Sequence, residues 1–248
     1  MARACGKVVR GVAFLCGLVS PAHIVYHLEV TKPLSRFSRG QLALLVKLNH
    51  ADAANLTRLQ RILVPDRWDP DELLFSPMPQ VLGPLAHERK ALVVDLAAQT
   101  FGAYEFGILV RWGPVSSGDR RHQTPSGLYH LNWHAPVHIS SENPSWVMPW
   151  YFNFANGRGL ALHQYSLPGR PASHGCVRLL AVDAKWLYRW GDGWTLAAGT
   201  RQLIQPGTLI LVTGRYNFAS PQPWLQPRWW NQGVSLHLLP FDGVIAAK

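Results

Sequence analysis

The sequence predicts a mainly-β domain, of sandwich or barrel-like build with one or two short helices, preceded by a small helical segment. Three observations carry this. From Lys90 onward, short apolar runs alternate with turn-forming residues, the pattern of successive strands. Only one stretch of that half, residues 183–190, has convincing helical spacing. The 19 prolines and 21 glycines among 248 residues break the chain too often for long helices or a coiled coil. With 48% hydrophobic and 15% charged residues there is ample core material, which excludes a disordered chain. No run of 18 apolar residues occurs, which excludes a polytopic membrane protein.

Residues 1–22 have the order of an export signal. Arg3, Lys7 and Arg10 make a basic start, residues 11–19 an apolar stretch too short to span a bilayer, and Ser20-Pro21-Ala22 supplies small residues for cleavage. Cys5 and Cys16 would leave with this segment, so Cys176 would be the one thiol of an exported chain. The formal net charge is +10, and loss of the signal would leave 21 basic against 14 acidic residues. A basic exported protein suits an anionic envelope polymer; the basic residues form no block, which argues against nucleic acid.

Residues 23–89 read as helical and then proline-rich. Apolar residues at helical spacing predict one helix over 39–49 and a second over 51–62, stopping at Leu63-Val64-Pro65. This order of helix, Leu-Asn turn, helix and apolar strand resembles a degenerate LysM, a peptidoglycan-binding module; a plain helical cap on the main domain fits equally. Ser76-Pro77-Met78-Pro79 and Gly83-Pro84 mark the connection onward.

Strands are predicted over 91–96, 103–110, 128–131, 159–163 and 208–212. Turns are expected at 97–100, Val115-Ser116-Ser117-Gly118 and Thr124-Pro125-Ser126-Gly127, and a helix at 183–190. Residues 214–248 form a Trp-rich extension in which Trp224, Trp229 and Trp230 read as aromatic cover or as sugar-stacking groups.

The chemistry concentrates in Ser173-His174-Gly175-Cys176-Val177-Arg178. A catalytic thiol needs a neighbouring base or a positive field to become thiolate. His163 lies thirteen residues upstream at the end of a strand, and the Pro/Gly-containing loop 164–172 can return it beside the sulfur. On spacing alone, a Cys/His pair and a buried structural cysteine with two incidental histidines are both open.

This stretch resembles the signature of the L,D-transpeptidase catalytic domain (YkuD-type): a His, then a Ser/Thr-His-Gly-Cys block, an apolar residue and Arg or Asn. The resemblance extends over residues 90–213, with Val94-Asp95-Leu96, Gln99, the two turns named above and Met148-Pro149-Trp150 before the strand bearing His163. It implies an L,D-transpeptidase-like β-sandwich with Cys176 as nucleophile, His163 as general base, and N–H groups around His174, Gly175 and Cys176 as oxyanion hole. It further implies that Arg178, Ser173, Met148, Trp150 and Tyr151 serve substrate binding or hold the loop. The implied reaction is attack on the third residue of a peptidoglycan stem tetrapeptide, release of D-alanine, and transfer of the acyl group to an amine. Stem peptides are the expected partners, and an envelope lipoprotein's lysine is one candidate acceptor. No metal or organic cofactor is expected; periplasmic location, a role in cell shape and sensitivity to carbapenems are. The loop between His163 and Ser173 is short for the family, which leaves either the Gln164 side chain or a backbone carbonyl to orient His163.

Three other readings compete. The same thioester could be hydrolysed, as by an L,D-carboxypeptidase. A zinc hydrolase could use His163, His174 and Cys176, although His174 and Cys176 at i, i+2 match no common zinc spacing. A non-catalytic wall-binding module would leave the Cys/His pair without a purpose.

Overall fold

The computed structural model describes residues 24–30 and 33–232. The export-signal reading falls outside these residues. The first unit runs strand, helix, helix, strand: β1 (Tyr26–Val30), α1 (Arg39–Leu48), α2 (Ala53–Leu56) and β2 (Arg61–Pro65). α1 starts at a capping box, in which the Ser38 hydroxyl accepts from the Gln41 N–H and the Gln41 side chain accepts from the Ser38 N–H. It ends at Asn49, whose buried amide donates to the Leu45 and Leu63 carbonyls and accepts from the Leu63 N–H, tying helix end to strand.

The second helix is much shorter than its pattern predicts. Asp52 caps it, Thr57 ends it, and residues 61–65 are extended because Ile62, Leu63 and Val64 pair with β1 and bury their side chains. The strand β1 corrects the helical reading of this stretch: Tyr26, Leu28 and Val30 alternate with His27 and Glu29, the pattern of a strand. Leu44, Leu48 and Leu63 share one cluster with Trp112 of the following domain and with Trp224 and Trp230 of the C-terminal extension. The unit is therefore a cap packed on the main sheet, and the tryptophans of the extension cover its seam.

The main domain holds β3 (Ala91–Asp95), β4 (Thr100–Glu105), β5 (Ile108–Ser116), β6 (Gly127–His130), β7 (His134–Ile139), β8 (Val147–Ala155), β9 (Leu160–Gln164), β10 (Val177–Leu179), α3 (Ala181–Trp190), the short pair β11 (Thr195–Leu196) and β12 (Leu203–Gln205), and β13 (Leu209–Thr213); α4 (Pro227–Gln232) follows in the extension. Nine strands make one mixed sheet in the order β6-β13-β3-β4-β5-β10-β9-β8-β7. Only β13/β3 and β10/β9 are parallel. The strand predicted at 103–110 is in fact a hairpin: Phe106 and Gly107 both have positive φ (48° and 76°), the turn that matches strand twist, and Phe disguised it.

The sheet curls because the chain leaving β6 bonds to both flanks. The Leu131 N–H donates to the Thr208 carbonyl beside β13, and the Asn132 N–H to the Asn153 carbonyl in β8. Inside lie Leu92, Val94 and Phe101 from one half and Phe152, Phe154, Leu162 and Val177 from the other, with Ala184 and Leu187 of α3 closing the core. Among the described residues no helix is long and apolar enough to cross a membrane.

Candidate active site

The parallel pairing of β9 and β10 places the site. Val177 lies opposite Leu162 and Arg178 opposite His163. Alternation sends Leu160, Leu162, Val177 and Leu179 into the core, and so turns Ala161, His163, Cys176 and Arg178 to the other face. There a cleft of about 710 Å³ is lined by Cys176, His163, Arg178, His174, Ser173, Met148 and Tyr151. Seven of the residues singled out in the sequence thus meet in one place.

The loop carrying the thiol is held from below. Ser117 accepts the Ala172 and Ser173 N–H groups on its carbonyl. The buried Gln99 side chain fixes Ser117 in turn, donating to its hydroxyl and accepting its N–H. Thr124 donates its hydroxyl to the Gly175 carbonyl at 2.7 Å and accepts the Gly118 N–H at 2.9 Å. Gly175 has φ 109°, the backbone that calls for glycine, and a Cβ there would stand 2.9 Å from Leu160 Cδ2 and push that side chain aside.

Ser173 is buried; its hydroxyl donates to the Cys176 carbonyl and accepts the Gly175 N–H. Both bonds are internal to the loop. They correct one expectation: the Gly175 N–H is engaged by Ser173, which removes it from an oxyanion hole.

The His163 ring is buried, and its Nδ1–H donates to the Gln164 carbonyl at 2.9 Å. A backbone carbonyl, not the Gln164 amide, orients it. That bond fixes the tautomer and leaves Nε2 unprotonated and able to accept a proton. Burial lowers the His163 pKa to about 4 against the help of the Gln164 carbonyl, with the Arg178 charge lowering it further. Burial also pushes the Cys176 thiol up, while the Ala161 N–H and Arg178 favour its thiolate. At neutral pH the pair therefore rests as thiol and neutral imidazole rather than as an ion pair.

Arg178 stacks over Tyr165, 4.6 Å from the ring centroid, and its Nη1 is 3.5 Å from the Ser166 carbonyl. His174 is exposed, stacked 4.0 Å from His122 and edge-on to Trp146 at 4.7 Å. Trp146 and Glu142 belong to the loop between β7 and β8, which overhangs the cleft together with His138 of β7. These three residues carry no sequence signal of their own, since only the hairpin brings them over the cleft.

Trp150 does not line the cleft. Its φ of 54° turns the ring to the opposite side of β8, against Tyr188 and Lys185 of α3. Nor do His163, His174 and Cys176 converge as metal ligands. Among the described residues the set with ligand atoms within 4.8 Å of one another is Asp119, His122 and His174.

The family model of the L,D-transpeptidase catalytic domain (YkuD) matches residues 89–212, half of the chain, and the chain belongs to that family. Among solved structures it is similar to an L,D-transpeptidase from Stackebrandtia nassauensis, with 27% identity, 52% of this chain and 57% of that one covered, and a TM-score of 0.42. It is similar also to residues 123–326 of an L,D-transpeptidase from Xylanimonas cellulosilytica (24% identity, 68% and 79% covered, TM-score 0.45). A third is the L,D-transpeptidase LdtMt1 in complex with imipenem (20% identity, 51% and 59% covered, TM-score 0.41). The chain spans little more than half the length of the first of these. No curated protein matches it.

Proposed function

We propose that the protein is an exported, cysteine-dependent peptidoglycan L,D-transpeptidase, with residues 1–22 as its leader and the periplasm or cell envelope as its place of work. The observation that carries this reading is the shared face of β9 and β10, which gives one cleft both the Cys176 thiol and a His163 ring locked with Nε2 free.

Because thiol and imidazole rest neutral, His163 Nε2 takes the Cys176 proton as the sulfur attacks, rather than before. The sulfur adds to the carbonyl of the third residue of a stem tetrapeptide. The N–H groups of His174 and Cys176 receive the developing oxyanion, since Ser173 occupies that of Gly175. As the C–N bond breaks, the imidazolium returns its proton to the departing D-alanine amine. An amine then attacks the thioester, a new amide forms, and Cys176 leaves as the thiol. Arg178 and the cleft walls Met148 and Tyr151 position the donor strand. Carbapenems, whose strained lactam carbonyl stands in for the donor carbonyl, acylate the same sulfur.

Incubation with a purified tetrapeptide muropeptide, read by mass spectrometry, tests the reading. Release of D-alanine with a cross-linked or amine-capped product supports it. Release with water addition alone would make the protein an L,D-carboxypeptidase, and an unchanged muropeptide would count against both.

A further inference from the structure

The family match ends at residue 212, and the chain beyond it turns back toward the active site. Tyr216 and Phe218 of that extension line an open groove of about 1250 Å³ together with Arg120, Arg121 and Arg170. His174 lines this groove and the Cys176 cleft alike, so its imidazole stands between the two.

The groove is cationic. All three arginines are exposed, and among the described residues none is ion-paired. Arg120 donates to the Phe218 carbonyl at 3.2 Å and lies 5.6 Å from its ring, which pins the guanidinium to the extension. The one acid on the wall, Asp119, directs Oδ1 to the Arg121 and His122 N–H groups and to His122 Nδ1. Asp119, His122 and His174 have a spacing that could hold a cation, but three guanidiniums along the same groove oppose one. A carboxylate suits them, held by charge-assisted N–H bonds.

We infer that this groove is the acceptor side of the reaction and selects amines that carry a carboxylate. The inference rests on the transpeptidase reading above. The acyl group stays in the cleft containing His163 and Arg178 while the thioester stands, so the acceptor arrives from another side. An acceptor docked by its carboxylate reaches the thioester past His174. The same positive field lowers the pKa of its ammonium, raising the fraction present as free amine. The amine nitrogen bonds to the thioester carbon, the C–S bond breaks, and the displaced proton passes through His163 to the Cys176 sulfur.

The test separates acceptor use from acylation. Acyl-enzyme formed on a tetrapeptide donor is offered Nα-acetyl-lysine or Nα-acetyl-lysine amide, which share one amine and differ in the carboxylate. Carbapenem titration of Cys176 counts the competent sites in each preparation. The wild-type enzyme should use the acid at least about tenfold better than the amide, the scale of one charge-assisted contact. Arg121→Gln/Arg170→Gln should reduce that preference to near unity by raising KM for the acid, and Arg121→Lys/Arg170→Lys should restore part of it. Equal use of the two amines by the wild type, use of neither by an enzyme that acylates, or a preference unchanged in the Gln variant would overturn the proposal. Failure to acylate at all would instead overturn the transpeptidase reading.

Discussion

Cys176 and His163 are the side chains whose loss should cost acylation most. Cys176→Ala and Cys176→Ser should each lower acylation by on the order of a thousandfold or more, with the fold retained by circular dichroism, because a site tuned to a thiol activates a hydroxyl poorly. His163→Ala should cost about as much, and the double variant no more, since nucleophile and base act as one unit. His174→Ala should cost less. An essential His174 beside a dispensable His163 would reverse the assignment of the base. The pH profile follows from burial. His163 accepts a proton only when neutral, and its pKa is lowered to about 4, so the acid limb of the acylation rate should fall there. A limb at the ordinary histidine value near 6.5 would contradict the buried base. Gly175→Ala meets both the positive φ and Leu160, and should lose roughly 1–3 kcal/mol of stability with a large loss of acylation. Adding Leu160→Ala should relieve the contact but not the backbone strain; full recovery in the double variant would show the contact alone to matter.

The elements explain how the thiol is aimed and why part of this was readable. Thr124 holds the Gly175 carbonyl and the Gly118 N–H together. Thr124→Val, nearly isosteric, should therefore cost about 1–3 kcal/mol and slow acylation more than it weakens donor binding. Denaturant unfolding beside a kcat/KM split would decide it. The thiol block, His163 and most core strands are legible, because each is a local pattern of residue types; the turns expected at 115–118 and 124–127 do not form, since Val115 and Ser116 end β5 and Gly127 opens β6. What stayed hidden was set by distant partners. The hairpin of β7 and β8 lies at the sheet edge, and Pro136 and Pro149 within its strands argue against a strand reading. Trp150 is expected in the cleft only by resemblance; it lies on the side of Phe152 and Phe154, opposite Tyr151. The second helix was over-read because residues 61–65 pair with a strand some thirty-five residues earlier. Oxyanion donors could not be told apart until the Ser173 hydroxyl was seen to occupy one of them.

The whole molecule joins cap, sheet and extension around the stacked His50 and Trp224 rings, 4.2 Å apart and both fully buried. Neither His50 nitrogen has a regular hydrogen bond, with only a marginal approach of the Gln99 backbone, and burial lowers its pKa to about 3. An unfolded histidine titrates near 6.5, so below that value the unfolded chain holds more protons than the folded one at both His50 and His163. Their contribution is complete above 6.5 and is lost as pH falls, at up to about two protons' slope. His27, raised chiefly by its hydrogen bond to Glu29, acts in the opposite sense and only above 6.5. Urea midpoints between pH 4.5 and 6.5 should thus fall steadily with acid, and His50→Phe should remove about half the slope. Burial raises the Asp183 carboxyl, which opposes the histidines in this range, so the comparison with His50→Phe decides: equal slopes in the two proteins would mean that His50 is not buried as a neutral group. Most direct for the central claim is intact mass after brief exposure of the reduced, folded protein to a carbapenem, followed by peptide mapping. The account predicts a stoichiometric adduct on the peptide containing Cys176, absent in Cys176→Ala and slowed by about the same large factor in His163→Ala. An unmodified Cys176, or an adduct on any other residue, would contradict it.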